Sequence, residues 1–191
     1  LKEISLHLLD IAENSIAAGA TNIRISVKED LPNDRLSACV EDDGKGMDEE
    51  TVKKVIDPFV TSRTTRKVGL GIPLLKEAAE ACNGKLVIQS TPGKGTRVTV
   101  DFQYNHIDRM PLGDLAGTWL TLLIANPDVD WIFEHQGTLP GSNQENSRFY
   151  FDSKLIKKEL AGIPLSEPDV ISFLKEYFNE GIKTNHDFLT F

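Results

Sequence analysis

Hydrophobic and polar positions in this chain follow two different periods. Ile4, Leu8, Ile11 and Ser15 recur at helical spacing and Gly19 offers a stop, which predicts a helix over 2–19. From Asn22 to Lys28 the period changes to two. Ile23, Ile25 and Val27 share one face and Arg24, Ser26 and Lys28 the other, as in a half-buried strand. After the turn Leu31-Pro-Asn-Asp34, a second alternating strand runs through Leu36, Ala38 and Val40. Glu41 to Met47 is too polar and glycine-rich to continue it. Asp48 can cap a short helix reaching Ile56, with Pro58 beyond. Residues 59–71 lack periodicity and read as a mobile loop. A helix over Ile72–Cys82 follows, tolerating Pro73 in its first turn and ending near Gly84. Strands at Lys85–Ser90 and Thr96–Gln103 then flank the turn Thr91-Pro-Gly-Lys-Gly95.

The second half has weaker signals. Leu115, Trp119, Leu122 and Leu123 mark the inward side of a helix over Leu112–Ala125. Strands at Asp130–His135 and Arg148–Asp152 flank a polar loop at 137–147, and a helix runs from Ser153 to Leu160. Ser166-Glu-Pro-Asp169 opens a last helix to Asn179, with Gly181 beyond it. The order of elements predicts an α/β two-layer sandwich, its helices on one face of a mixed or antiparallel sheet. Residues 1–103 form the first unit and 104–191 an α/β extension.

Composition narrows the class. Hydrophobic residues make up 40% of the 191, enough for a core and too many for a disordered chain. The longest apolar run, Trp119 to Ala125, is far shorter than the roughly 20 residues that span a bilayer. No secretory pattern opens the sequence, and two cysteines, Cys39 and Cys82, cannot form a disulfide framework. Both are expected to be buried, and the chain to be cytoplasmic. The net charge of -8 argues against gripping nucleic acid or an anionic membrane. Most of it, -6, falls in 104–191. Arg63, Arg66 and Lys67 form a basic island with no acidic residue from Pro58 to Leu75, suited to an anion or to plain solvation.

Four segments carry candidate chemistry. Asp10 and Asn14 are four apart in the first helix and so share a face. A carboxylate beside an amide oxygen can hold a water and a hard cation such as Mg²⁺, although the spacing also suits a solvated helix face. Asp42-Asp43-Gly44-Lys45-Gly46-Met47 puts a carboxylate and two glycines at a strand end, where backbone can approach a flat or anionic ligand or simply turn. Val68-Gly69-Leu70-Gly71-Ile72-Pro73 enters a helix whose free amides suit a phosphate. The dinucleotide fingerprint fails there, since position 74 is Leu, and Pro92-Gly-Lys-Gly-Thr96 is not a P-loop. Thr96, opening the last strand of the first unit, offers a hydroxyl to a buried ligand.

In order and spacing these segments resemble the Bergerat-fold (GHKL) ATPases: gyrase, the heat-shock chaperone, histidine kinases and the mismatch-repair MutL protein. Glu13-Asn-Ser-Ile-Ala-Ala-Gly-Ala-Thr21 resembles the MutL form of the asparagine box, and Asp42-Asp-Gly-Lys-Gly46 the DxGxG box. Pro58-Phe-Val-Thr61, Gly69-Leu-Gly71 and Thr91-Pro-Gly-Lys-Gly-Thr96 are closer to histidine kinases. The resemblance covers about residues 3–103. It implies ATP and Mg²⁺ as ligands, with Asn14 on the metal and Asp42 accepting from the adenine amino group, directly and through a water shared with Thr96. It also implies room for the base at Gly44 and Gly46, an ATP lid over 59–71, and nucleotide contacts at Met47, Arg63, Lys67, Gly69, Leu70 and Gly71.

Asp10 stands where hydrolysing members commonly carry Glu and many histidine kinases Asn. It keeps a base that is one methylene shorter. No phosphoacceptor helix precedes the asparagine box, so a self-sufficient sensor kinase is not expected. His7 reads as a packing or surface residue, and His106, His135 and His186 lack metal-ligand spacing. The expectation is a small Mg²⁺-ATP-binding protein, a slow ATPase through Asp10 or a nucleotide switch acting on a protein partner. A protein kinase domain with a separate phosphoacceptor and a non-hydrolysing ATP-gated module remain open.

Overall fold

The computed structural model describes residues 2–57, 71–138, 141 and 147–187. The chain runs α1 (Ile4–Ala17), β1 (Asn22–Asp30), β2 (Arg35–Asp42), α2 (Glu49–Ile56), α3 (Gly71–Ala81), β3 (Lys85–Thr91), β4 (Gly95–Gln103), α4 (Leu115–Ala125), β5 (Asp130–Thr138), β6 (Ser147–Asp152), α5 (Ser153–Glu159) and α6 (Pro168–Asp187). The six strands among the described residues join one mixed sheet in the order β3-β4-β2-β1-β5-β6. Neighbours are antiparallel except β1 and β5, which run parallel from Asn22↔Asp130 to Asp30↔Thr138. The extension therefore supplies two strands of the same sheet.

Alternation decides which face is covered. Ile23, Ile25, Val27, Leu36, Ala38, Val40, Val98, Val100 and Phe102 are buried beneath the helices. Their alternates form a second face that stays wet because its charges pair across strands. Arg35 meets Asp101, Arg97 meets Glu41, and buried Glu134 sits between Arg24 and Arg148. Cys39 lies on this face and is only half-buried, with Thr99 Oγ1 at 3.7 Å, because its position has the parity of Ser37 and Glu41. The expected burial holds for Cys82 alone.

An aromatic cluster ties the extension to the core. Trp119 of α4 stacks on Phe133 of β5 at 4.9 Å, and Phe178 of α6 meets Phe151 edge-on at 4.8 Å. The segment before α4 also closes the start of α1. Glu3 provides no side-chain cap, and instead the amides of Ile4 and Ser5 donate to the Pro111 and Leu112 carbonyls at 3.0 and 2.9 Å.

The last helix does not stop near Asn179. It continues through Gly181 to Asp187, because there glycine serves packing and not termination. A Cβ at Gly181 would overlap the Phe149 ring. Gly181→Val is accordingly expected to destabilise the fold by about 1–3 kcal/mol in urea unfolding, through overpacking. At an uncovered helix site, losing a glycine would instead stabilise, by up to about 1 kcal/mol, so the sign tests the contact.

Candidate functional site

The site begins with parity. Asp42 continues the inward series Leu36, Ala38 and Val40, so its carboxylate leaves the end of β2 on the covered face. Register places Thr96 beside it and Ser90 beside Thr96. Together with Val52, Ile88 and Gly95 they line a cavity of about 520 Å³ between α2 and the strand ends. Asp42 Oδ1 accepts from the Gly44 and Thr96 amides at 2.9 and 3.2 Å, and Oδ2 accepts from Ser15 Oγ of α1 at 2.6 Å. An ionised carboxylate has about four acceptor positions, so one remains for a ligand donor. Ser90 Oγ lies 3.0 Å from the Gly95 carbonyl, takes the Met47 amide at 2.8 Å and sits 2.8 Å from Thr96 Oγ1. When Ser90 donates to Gly95, the Thr96 hydroxyl donates to Ser90 and keeps its own lone pairs available.

The glycine loop is fixed by contacts on both sides. Lys45 donates its amide to the Ala18 carbonyl at 3.0 Å, and Gly93 of the β3–β4 turn donates to Lys45 at 2.7 Å. Gly46 and Gly95 have φ of +66° and +102°, and a Cβ would overlap the Thr91 carbonyl at the first and the Asp42 carbonyl at the second. The glycines here let two loops close over the strand end. Gly44 is buried against Asp42 and Ala18.

Asp43 holds the loop from behind. Its carboxylate accepts the Thr21 and Asn22 amides at 2.8 and 2.9 Å, Thr21 Oγ1 at 2.9 Å and Asn22 Nδ2 at 2.7 Å. Desolvation pushes its pKa upward, but the donors of Asn22 and Thr21 outweigh it and hold the group well below the usual carboxylate range.

Asp10 and Asn14 occupy half-buried positions one turn apart on α1. Asp10 Oδ2 is buried with no hydrogen-bond partner among the described residues and lies against Gly71, where a Cβ would overlap it. Gly71 opens α3, so the carboxylate faces a helix N-terminus. His7 is buried one turn earlier. Burial lowers its pKa, a hydrogen bond to the Gly71 backbone opposes this, and the lowering prevails. It is a packing residue. His135 is likewise fully buried, 3.0 Å from Glu29.

Arg63, Lys67, Gly69 and Leu70 lie outside the described residues, as do Arg66, the Pro58–Thr61 segment and the side chain of His186. Of the other expected site residues, Asp42 and Thr96 line the cavity, and Gly44 lies behind Asp42 and donates its amide to it. Gly46 packs behind the cavity wall, and Met47 contributes its amide. Asp10 and Gly71 meet each other, with Asn14 one turn along α1 from Asp10, and none of the three is among the residues that line the cavity. Sequence reasoning missed Ser15, Ser90 and the bracing role of Asp43. Ser15 and Ser90 had a signal: each is a hydroxyl at a position whose period faces the core. No group of three or more His, Cys, Asp or Glu suited to a metal occurs among the described residues.

Fold and cleft together define a two-layer ATPase-type sandwich with its site at the sheet's end. The chain belongs to the family described as histidine kinase-, DNA gyrase B- and HSP90-like ATPases, which matches residues 1–106. It is 32% identical over 115 residues to the non-motile and phage-resistance protein of Caulobacter vibrioides, covering 57% of this chain and 14% of that protein. It is 38% identical over 93 residues to the sensor protein kinase FleS of Pseudomonas aeruginosa, 49% of this chain and 23% of the relative. The chain thus spans under a quarter of these proteins' length. Among solved structures, the N-terminal domain of a DNA repair protein superposes with a TM-score of 0.50 at 16% identity, covering 78% of this chain and 53% of the other. That likeness shows the fold.

Two outcomes follow from the hydrogen bonds. Asp43→Ala should cost about 1–3 kcal/mol in urea unfolding at neutral pH, the loss of charge-assisted bonds tempered by exposure. Because the folded pKa is depressed, this contribution is present above the unfolded carboxylate value of about 3.9 and fades as pH falls through the folded one. The gap between parent and variant should therefore narrow below about pH 4. Ser15→Ala should leave Asp42 Oδ2 short of a donor and weaken adenine-nucleotide binding several-fold in calorimetry, equivalent to about 1 kcal/mol.

Proposed function

We propose that this chain binds Mg²⁺-ATP in the cleft and uses nucleotide occupancy to act on a protein partner, with slow hydrolysis through Asp10. The observation that carries the reading is the Asp42 carboxylate. Three protein donors fix it and one acceptor position faces the cavity, which suits the amino edge of adenine. Thr96 would share a water with it, and Gly44 and Gly46 would let the backbone lie close to the base. Asn14 would hold Mg²⁺ with the phosphates, since Mg²⁺ keeps waters and substrate oxygens and needs few protein ligands. Gly71 and the first turn of α3 would face phosphate oxygens, together with Arg63, Lys67, Gly69 and Leu70. The Asp10 oxygen against Gly71, which has no hydrogen-bond partner among the described residues, suits a base that must accept a proton from water.

Among the described residues no helix is long and apolar enough to cross a membrane. The net charge of -8 gives no footing for direct nucleic-acid binding. A kinase reading is favoured by one specific finding, that several of the relatives are named as kinases, FleS among them. Transfer of radiolabelled phosphate to a separate acceptor protein, rather than to water, would select it.

Base recognition tests the leading reading. Guanine presents a carbonyl where adenine presents an amino group, so two acceptors would face each other. An unmet buried group costs about 1–3 kcal/mol, and each 1.4 kcal/mol is tenfold. GTP should bind at least roughly tenfold more weakly than ATP in calorimetry, and Asp42→Asn should narrow the difference. Equal affinities in the parent protein would overturn the assignment. Asn14→Ala should remove the Mg²⁺ dependence of ATP binding in a folded protein; unchanged Mg²⁺-ATP affinity would show that another group holds the metal.

A further inference from the structure

The outer face of α6 carries an aromatic pair that no described residue covers. Phe173 is 58% exposed and Tyr177 41%, and their rings stack at 6.1 Å with planes 17° apart. The inner face of the same helix, Leu174, Phe178 and Ile182, is buried. Tyr177 also touches Phe149 and Phe151 of β6 at 5.5 and 6.4 Å, so the pair continues the internal aromatic cluster out to the sheet's edge strand. Residues three, four and seven apart share a helix face. Asp169, Glu176 and Glu180 therefore fall in the sector of Phe173 and Tyr177, while Lys175 falls on the other flank.

This combination selects the chemistry of an occupant. Ring faces are electron-rich and attract cations, and guanidinium stacks on rings while pairing with carboxylates in a fixed fork. An acidic segment, a nucleic acid or an anionic lipid surface would meet like charge, and a second copy would oppose carboxylate to carboxylate. We propose that this face docks an arginine-bearing amphipathic helix of another protein, an apolar side chain seated on Phe173 and Tyr177 and guanidinium groups against Asp169 and Glu176. The proposal rests on the partner reading above for its biological role, and docking itself requires no nucleotide. Packing joins the face to the site: α6 lies on α4, and α4 lies on α1, which carries Asp10 and Asn14.

The test uses the full chain and a synthetic amphipathic helical peptide with arginines flanking a leucine stripe, followed by fluorescence anisotropy. Its counterpart with glutamate in place of each arginine serves as control. The arginine peptide should bind saturably. Phe173→Ser with Tyr177→Ser, and separately Asp169→Lys with Glu176→Lys, should each weaken it about tenfold or more. Glu77→Lys with Glu80→Lys on exposed α3 positions should change it less than about twofold. Circular dichroism checks that each variant is folded. No saturable binding, equal binding of both peptides, or affinity unmoved by both α6 variants overturns the proposal. A concentration-dependent dimer in sedimentation that Phe173→Ser abolishes also overturns it, by making a second copy the occupant. The same titration with Mg²⁺-ATP separates the two readings: unchanged peptide affinity counts against the nucleotide switch and leaves the docking face standing.

Discussion

A carboxylate at the end of the central antiparallel pair constrains everything around it. Asp42 faces the covered side of the sheet, where an ionised group is costly unless hydrogen-bonded. Its donors come from three places far apart in sequence: Ser15 on α1, Gly44 in the following loop and Thr96 at the start of β4. Meeting that requirement fixes α1 over β2, bends the loop back toward Ala18 and sets the register of β4. The cavity is what remains beyond these elements. A carboxylate held this way is pre-organised for the ligand proposed for it, because the bonds that fix it are ones the fold needs.

The glycine loop extends the same logic. It must double back between α1 and the β3–β4 turn, close to the backbone on both sides. Side chains at positions 46 and 95 would collide with carbonyl oxygens, so both positions admit only glycine without movement. Behind the loop, Asp43 fastens the end of β2 to the start of β1 through four short bonds to two consecutive residues. Adjacent aspartates thus serve opposite ends. Asp42 points inward and retains acceptor capacity, while Asp43 points outward and is saturated.

Much of this was legible in the sequence for a physical reason: local period reports face. Alternation in Ile23–Val27 and Leu36–Val40 identified the core side of β1 and β2, and the same parity carries Asp42 inward. The spacing of Asp10 and Asn14 placed both on one stretch of α1. What was not legible depends on partners distant in the chain. Nothing local in Asp130–Thr138 says that it runs parallel to β1, since parallel pairing is settled by the connection and the packing between. Gly181 has the composition of a helix stop, and only the Phe149 ring across from it explains why the helix continues. Cys39 follows strand parity toward the open face, which hydrophobic character alone cannot reveal.

The extension bears on the site through α1. That helix has no side-chain cap, and its first amides are met by Pro111 and Leu112, immediately before α4. The residues that complete the start of α1 therefore belong to the segment that also anchors Trp119 and the aromatic cluster. Moving α4 relative to the sheet would take the acceptors away from the first amides of α1, two turns from Asp10. Conversely, any adjustment of α1 around a ligand would be opposed by the stacking of Trp119 on Phe133. Two elements that share hydrogen bonds and a packed face cannot shift independently without losing both. In this chain the half that carries most of the negative charge thereby holds the start of the helix that carries Asp10 and Asn14.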